Sequence, residues 1–61
     1  MKRFIVRYLN HKKAEHTYVE AERFKRTDEL YMFLDGDGNI KAQFETINVI
    51  GVDDLGEIKP D

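Results

Sequence analysis

With 61 residues and no cysteine, the chain is expected to form one domain without a disulfide staple or a thiolate-bound metal. A chain this short buries only about 60% of the surface it exposes when unfolded, so its stability margin is thin and a core shared in a homodimer is compatible with it. The net charge of -2 hides two opposed halves: residues 1–26 hold eight Lys/Arg and three acids (+5), whereas residues 27–61 hold two Lys/Arg and nine acids (-7).

Phe4 to Leu9 alternates, with Phe4, Val6 and Tyr8 on one side and Ile5, Arg7 and Leu9 on the other, which predicts a strand. Its apolar run before Arg7 is far shorter than the roughly 7–15 residues of a signal peptide. Nothing in the chain approaches the roughly 18 consecutive apolar residues of a membrane span, so the expectation is a cytoplasmic protein with no membrane partner. Asn10-His11-Lys12-Lys13 is a polar break suited to a turn. Thr17, Val19 and Ala21 then alternate with Tyr18 and Glu20, predicting a second strand. Phe24 falls out of phase with Ala21, and a bulge or bend at Glu22-Arg23 would return it to the inner side.

Thr27-Asp28-Glu29 is the next break, followed by the wholly apolar Leu30-Tyr31-Met32-Phe33-Leu34, expected to be the most central strand. Asp35-Gly36-Asp37-Gly38-Asn39 is the clearest turn signal. Ile40, Ala42 and Phe44 alternate with Lys41, Gln43 and Glu45 in a strand pairing back across it. Val49–Val52 reads as a short closing strand. The domain is expected to span residues 1–55, with residues 56–61, including the sole proline Pro60, as a flexible polar tail.

Five short strands with tight turns are most economically arranged as a small, partly closed antiparallel barrel, because closure removes exposed edges. The alternative is an α+β fold with a short helix near residues 19–27, where Glu20 to Arg26 holds good helix formers. The run Val19-x-Ala21-x-x-Phe24, Asp28, Leu30–Leu34, the Asp37-Gly38 turn, Ala42-x-Phe44 and Val49-Ile50 resembles small SH3-like barrel proteins of bacteria and their phages. The resemblance implies an all-β, five-stranded SH3-like barrel over about Phe4 to Val52. Such barrels serve RNA-binding, protein-binding and inhibitory roles alike, so it carries no particular activity.

Serine and cysteine are both absent, which leaves Thr17, Thr27 and Thr46 as hydroxyl nucleophiles, none in an activating context. A barrel of this size has little room for the cleft that shifts a catalytic carboxylate, so no enzyme, catalytic residue or cofactor is expected. Asp35-x-Asp37-x-Asn39 matches the first ligand positions of a calcium loop, but Ile40 replaces the glycine that follows and Thr46 the closing glutamate. A hairpin turn is therefore expected there, and His11 with His16 falls short of a zinc set, so no metal is expected.

Two binding readings remain. A protein partner would meet the outward side chains Arg7, Tyr18, Tyr31 and Phe33. Single-stranded nucleic acid would meet Lys12, Lys13, Arg23, Lys25 and Arg26, with Tyr8 supplying a stacking face. The acidic pI near 5.6 and the glutamates among those cations weigh against the second. Mutual neutralisation of the two charged halves across neighbouring strands is the favoured reading of the asymmetry. The protein is thus expected to be a small binding module, regulator or inhibitor acting on another protein.

Overall fold

The computed structural model describes residues 1–58, all β apart from turns. The strands are β1 (Lys2–Asn10), β2 (Lys13–Ala21), β3 (Arg23–Arg26), β4 (Leu30–Leu34), β5 (Ile40–Glu45) and β6 (Val49–Glu57), with one 3-10 turn at Thr46–Asn48. They form two antiparallel sheets: sheet A in the order β2-β1-β6 and sheet B in the order β3-β4-β5.

The β1–β2 hairpin is the longest unbroken ladder, running from Lys2↔Ala21 to Asn10↔Lys13 with no shift in register. Its turn places His11 at φ 50° and Lys12 at φ 67°, the doubly left-handed geometry of a two-residue hairpin loop, built here without the usual glycine. At Thr27 the side chain caps the next turn, its hydroxyl oxygen accepting from the backbone N–H of Glu29 (3.2 Å) and Leu30 (2.9 Å). The β4–β5 turn closes on Asp35, whose Oδ1 accepts the N–H of both Asp37 and Asn39 at 2.9 Å, while Gly38 takes φ 87°.

The period-two pattern sends Phe4, Val6, Val19 and Ala21 from sheet A and Phe33 from sheet B into one shared core. Phe33 joins Phe4 at 5.5 Å and Phe44 at 6.0 Å, and Tyr8 extends the layer by lying 5.5 Å from Phe44. Phe24 packs edge-on against Phe4 at 5.5 Å and stacks on Tyr31 at 6.1 Å. Burying each such side chain is worth roughly 1.5–3 kcal/mol. With so few side chains fully enclosed, each is a large share of the total.

Three expectations are corrected. The segment expected to run as one bent strand is cut at Glu22: β2 ends at Ala21 in sheet A, β3 begins at Arg23 in sheet B, and the Glu22 N–H donates to Leu34 O at 2.8 Å. The strand count is therefore six rather than five, and the helix considered for residues 19–27 does not form. The barrel is not closed: β6 pairs along β1 for its length, which leaves its far edge and that of β5 in different sheets. The last strand also outruns Val52 and the domain boundary expected at residue 55, since Glu57 is still paired with Lys2 and the Ile58 N–H donates to Met1 O at 2.9 Å. The remainder of the expected tail, 59–61, with Pro60, lies outside the described residues. No helix of the described residues is long and apolar enough to cross a membrane.

Candidate functional site

Sheet A has two unlike faces. One carries the core; the other is uncovered. Along β1 the uncovered face presents Arg3, Ile5, Arg7 and Leu9, because these alternate with the buried Phe4 and Val6. The register sets Glu20 beside Arg3, Tyr18 beside Ile5, His16 beside Arg7 and Ala14 beside Leu9. From the other side β6 sets Asp53 beside Ile5 and Gly51 beside Arg7.

Tyr18 is 58% exposed, and its ring meets His16 edge-on at 5.9 Å. The remaining aromatic side chains, all four phenylalanines with Tyr8 and Tyr31, belong to the layer between the sheets. Tyr18 is thus the one aromatic ring turned away from that layer. Leu9 and Leu55 are also exposed, and Leu55 borders a shallow depression with Arg3.

The cations of this face are locally neutralised. Arg3 pairs with Glu20 at 3.3 Å, and Arg7 with Asp53. On the opposite phase of β1 Lys2 pairs with Asp54 at 3.5 Å, and at the chain start the N-terminal ammonium pairs with Glu57 at 3.1 Å and Glu22 at 3.3 Å. The hydrogen bonds that this ammonium donates to the Glu57 and Glu22 carboxylates hold its pKa above the usual 8.0. The basic and acidic halves of the sequence therefore do meet, across β1 and β6.

The residues predicted for protein contact divide. Arg7 and Tyr18 share the open face as diagonal neighbours. Phe33 is fully buried, and Tyr31 sits on the same inner face with Phe24 over it, so neither belongs to that surface. β4 is apolar on both faces, and its sequence does not mark which face turns inward.

The cations predicted for nucleic acid do not converge. Lys12 and Lys13 stand at the hairpin tip, about 26 Å from the end of β2 that leads into β3 if β2 rises its usual 3.3 Å per residue. Arg23 and Lys25 lie on the outer face of sheet B, opposite Leu34 and Met32, while Arg26 shares the other face with Phe24. None of these five cations makes an ion pair among the described residues. Arg26 lies 5.6 Å above the Tyr31 ring. Tyr8 is half-buried against Phe44, and its hydroxyl lies 3.4 Å from Glu15, so it offers no free stacking face.

Sequence reasoning missed Ile5, His16, Asp53 and Leu55. Ile5 and His16 have the same phase along their strands as Arg7 and Tyr18, which was the available signal. Ile47, 86% exposed, was also missed; it flanks a shallow depression with Asp28, Glu29 and Glu45 at the opposite end of sheet B's turn region. The Asp35 carboxylate is occupied by its own loop, and the backbone N–H of Asn39, helped by that of Asp37, holds it below the usual 3.8. No protein-family model, curated protein or solved structure matches this chain.

Proposed function

We propose that the protein is a non-catalytic binding module, a regulator or inhibitor, that docks another protein on the open face of sheet A. The observation carrying this reading is Tyr18, the most exposed of the phenylalanine and tyrosine rings, set beside Ile5 and Arg7 on the uncovered face of sheet A. Tyrosine and arginine dominate the energetic centres of protein interfaces, and charges already paired at the start cost less to cover than free ones. The SH3-like kinship belongs to this proposal as an open arrangement in which the chain passes from one small sheet to another at Glu22.

Nucleic-acid binding is the second reading, supported by the unpaired cations and by Phe24, 41% exposed beside Arg26 and Tyr31 on an edge strand. Its weakness is the distance between the hairpin tip and β3. Two measurements separate the readings. Capture from extract should depend on Tyr18 and Arg7: Tyr18→Ala with Arg7→Ala should lose the captured protein, and retention would overturn the docking face. A fluorescent single-stranded oligonucleotide should show no binding at low salt. Micromolar binding that weakens steeply with salt and vanishes when Lys12, Lys13, Lys25 and Arg26 are replaced together would establish the rival.

A further inference from the structure

Among the described residues the two open sheets have four outer edges, and three carry devices that discourage further pairing. β6 has register shifts at two places and β5 faces one across its ladder with β4. β3 is four residues long with three cations. Short, bulged or single-sign edges are the usual means of blocking strand addition. β2 has none of these features: it spans nine residues, has no proline and no register shift, and pairs on one side only.

The hairpin fixes which backbone groups of β2 are free. Asn10 and Lys13 flank a two-residue loop, so they exchange both hydrogen bonds, and bonded and non-bonded pairs alternate from there. The N–H and C=O of Lys13, Glu15, Thr17, Val19 and Ala21 therefore face β1. Those of Ala14, His16, Tyr18 and Glu20 face away from it, and no other backbone hydrogen bond of the described residues engages them.

We infer that β2 is a homodimerisation edge, pairing antiparallel with β2 of a second copy about a two-fold axis at Thr17. A two-fold axis perpendicular to the sheet keeps each side chain on its own face, so every residue must oppose one of its own phase. Centring on Thr17 satisfies this and uses the whole strand. It sets Thr17 against Thr17, Tyr18 against His16, Val19 against Glu15, Glu20 against Ala14 and Ala21 against Lys13. No like charges are opposed, and Lys12 of each copy comes opposite Glu22 of the other. A register centred one residue later would instead oppose Lys13 and Arg23, and both flanking registers pair fewer residues of β2. Ala14, His16, Tyr18 and Glu20 of each copy then donate and accept one backbone bond each, and the Tyr18–His16 contact is doubled across the axis.

The contact lies at the edge of sheet A, so the open faces of two copies join into one six-stranded surface. This goes beyond the partner reading, and its test uses the purified chain alone, so the two can fail separately. Sedimentation equilibrium should show a concentration-dependent shift from the 7.2 kDa chain to twice that mass. Hydrogen exchange should find the Ala14, His16, Tyr18 and Glu20 amides protected at high concentration and unprotected on dilution, while those of Glu15, Thr17 and Val19 stay protected throughout. Ala14→Glu, on the exposed face, opposes Glu20 twice and should weaken the dimer by roughly 2- to 30-fold, whereas Ala14→Lys should tighten it over the same range. A chain that stays monomeric at millimolar concentration overturns the inference. So does a dimer in which those alternate amides exchange freely, or one indifferent to both Ala14 variants.

Discussion

The two sheets of this protein use the same kinds of residue for opposite ends. Sheet B places its rings inward, so that Phe33, Phe44, Phe24 and Tyr31 build the layer between the sheets, and its cations Arg23, Lys25 and Arg26 meet no acidic partner among the described residues. Sheet A turns one tyrosine outward and pairs its arginines with acids on the neighbouring strands. On the proposed reading the difference separates holding the domain together, the part of the aromatic layer, from meeting a partner, the part of the neutralised face around Tyr18.

Removing one ring from each sheet should separate the two most sharply. Phe33→Ala should cost about 3–5 kcal/mol. A core of this size rarely supplies more than about 3–5 kcal/mol in total, so chemical denaturation should find that variant largely unfolded. Tyr18→Ala should stay within about 0.5 kcal/mol of wild type in the same experiment, because its ring is outside the core. Similar losses for both would dissolve the distinction.

A smaller effect of opposite sign is expected at the hairpin tip of sheet A. His11 and Lys12 occupy left-handed backbone geometry, which costs an ordinary residue roughly 1–2 kcal/mol. His11→Asn with Lys12→Gly should raise stability by about 1 kcal/mol in denaturant titrations while leaving partner capture unchanged. In sheet B, Asp35→Asn should lower the melting temperature at neutral pH by weakening the β4–β5 turn. Because the Asp35 carboxyl is held below 3.8 in the folded chain, its contribution is present above that pH and disappears as pH falls through the lower folded value. The gap between wild type and Asp35→Asn should therefore close below pH 3.8, and a gap constant with pH would contradict the turn's charge-dependent bonding. Smallest of all is the Arg3–Glu20 pair, exposed on both sides. A double-mutant cycle should give a coupling of at most about 1 kcal/mol that fades with added salt.

The local features were legible because their signals are local. Alternation in Phe4–Leu9 and Thr17–Ala21, the polar breaks at Asn10–Lys13 and Thr27–Glu29, and the Asp35–Asn39 turn each arise from neighbouring residues. Pairing partners are not encoded that way. The break at Glu22 was visible as a change of phase, but whether β3 stays in the first sheet or joins β4 depends on Phe24 finding Phe33 across the ladder. β6 was cut short because Asp53-Asp54 interrupts its apolar run, although those acids serve as partners to Arg7 and Lys2 on β1. Tyr31 and Phe33 were placed outward because an apolar strand gives no sign of which face meets the core. The outward direction of Tyr18 is legible because Val19 and Ala21, on either side of Glu20, fix the phase of β2.

Site-specific photo-cross-linking shows which surface meets another protein. A benzoylphenylalanine side chain would be placed at position 18 on sheet A and, in a separate chain, at position 25 on sheet B, and each irradiated in native extract. Position 18 should give adducts heavier than the chain's own dimer, and position 25 none. Adducts from position 25 with position 18 silent would move the partner to the cationic edge of sheet B and contradict docking on sheet A.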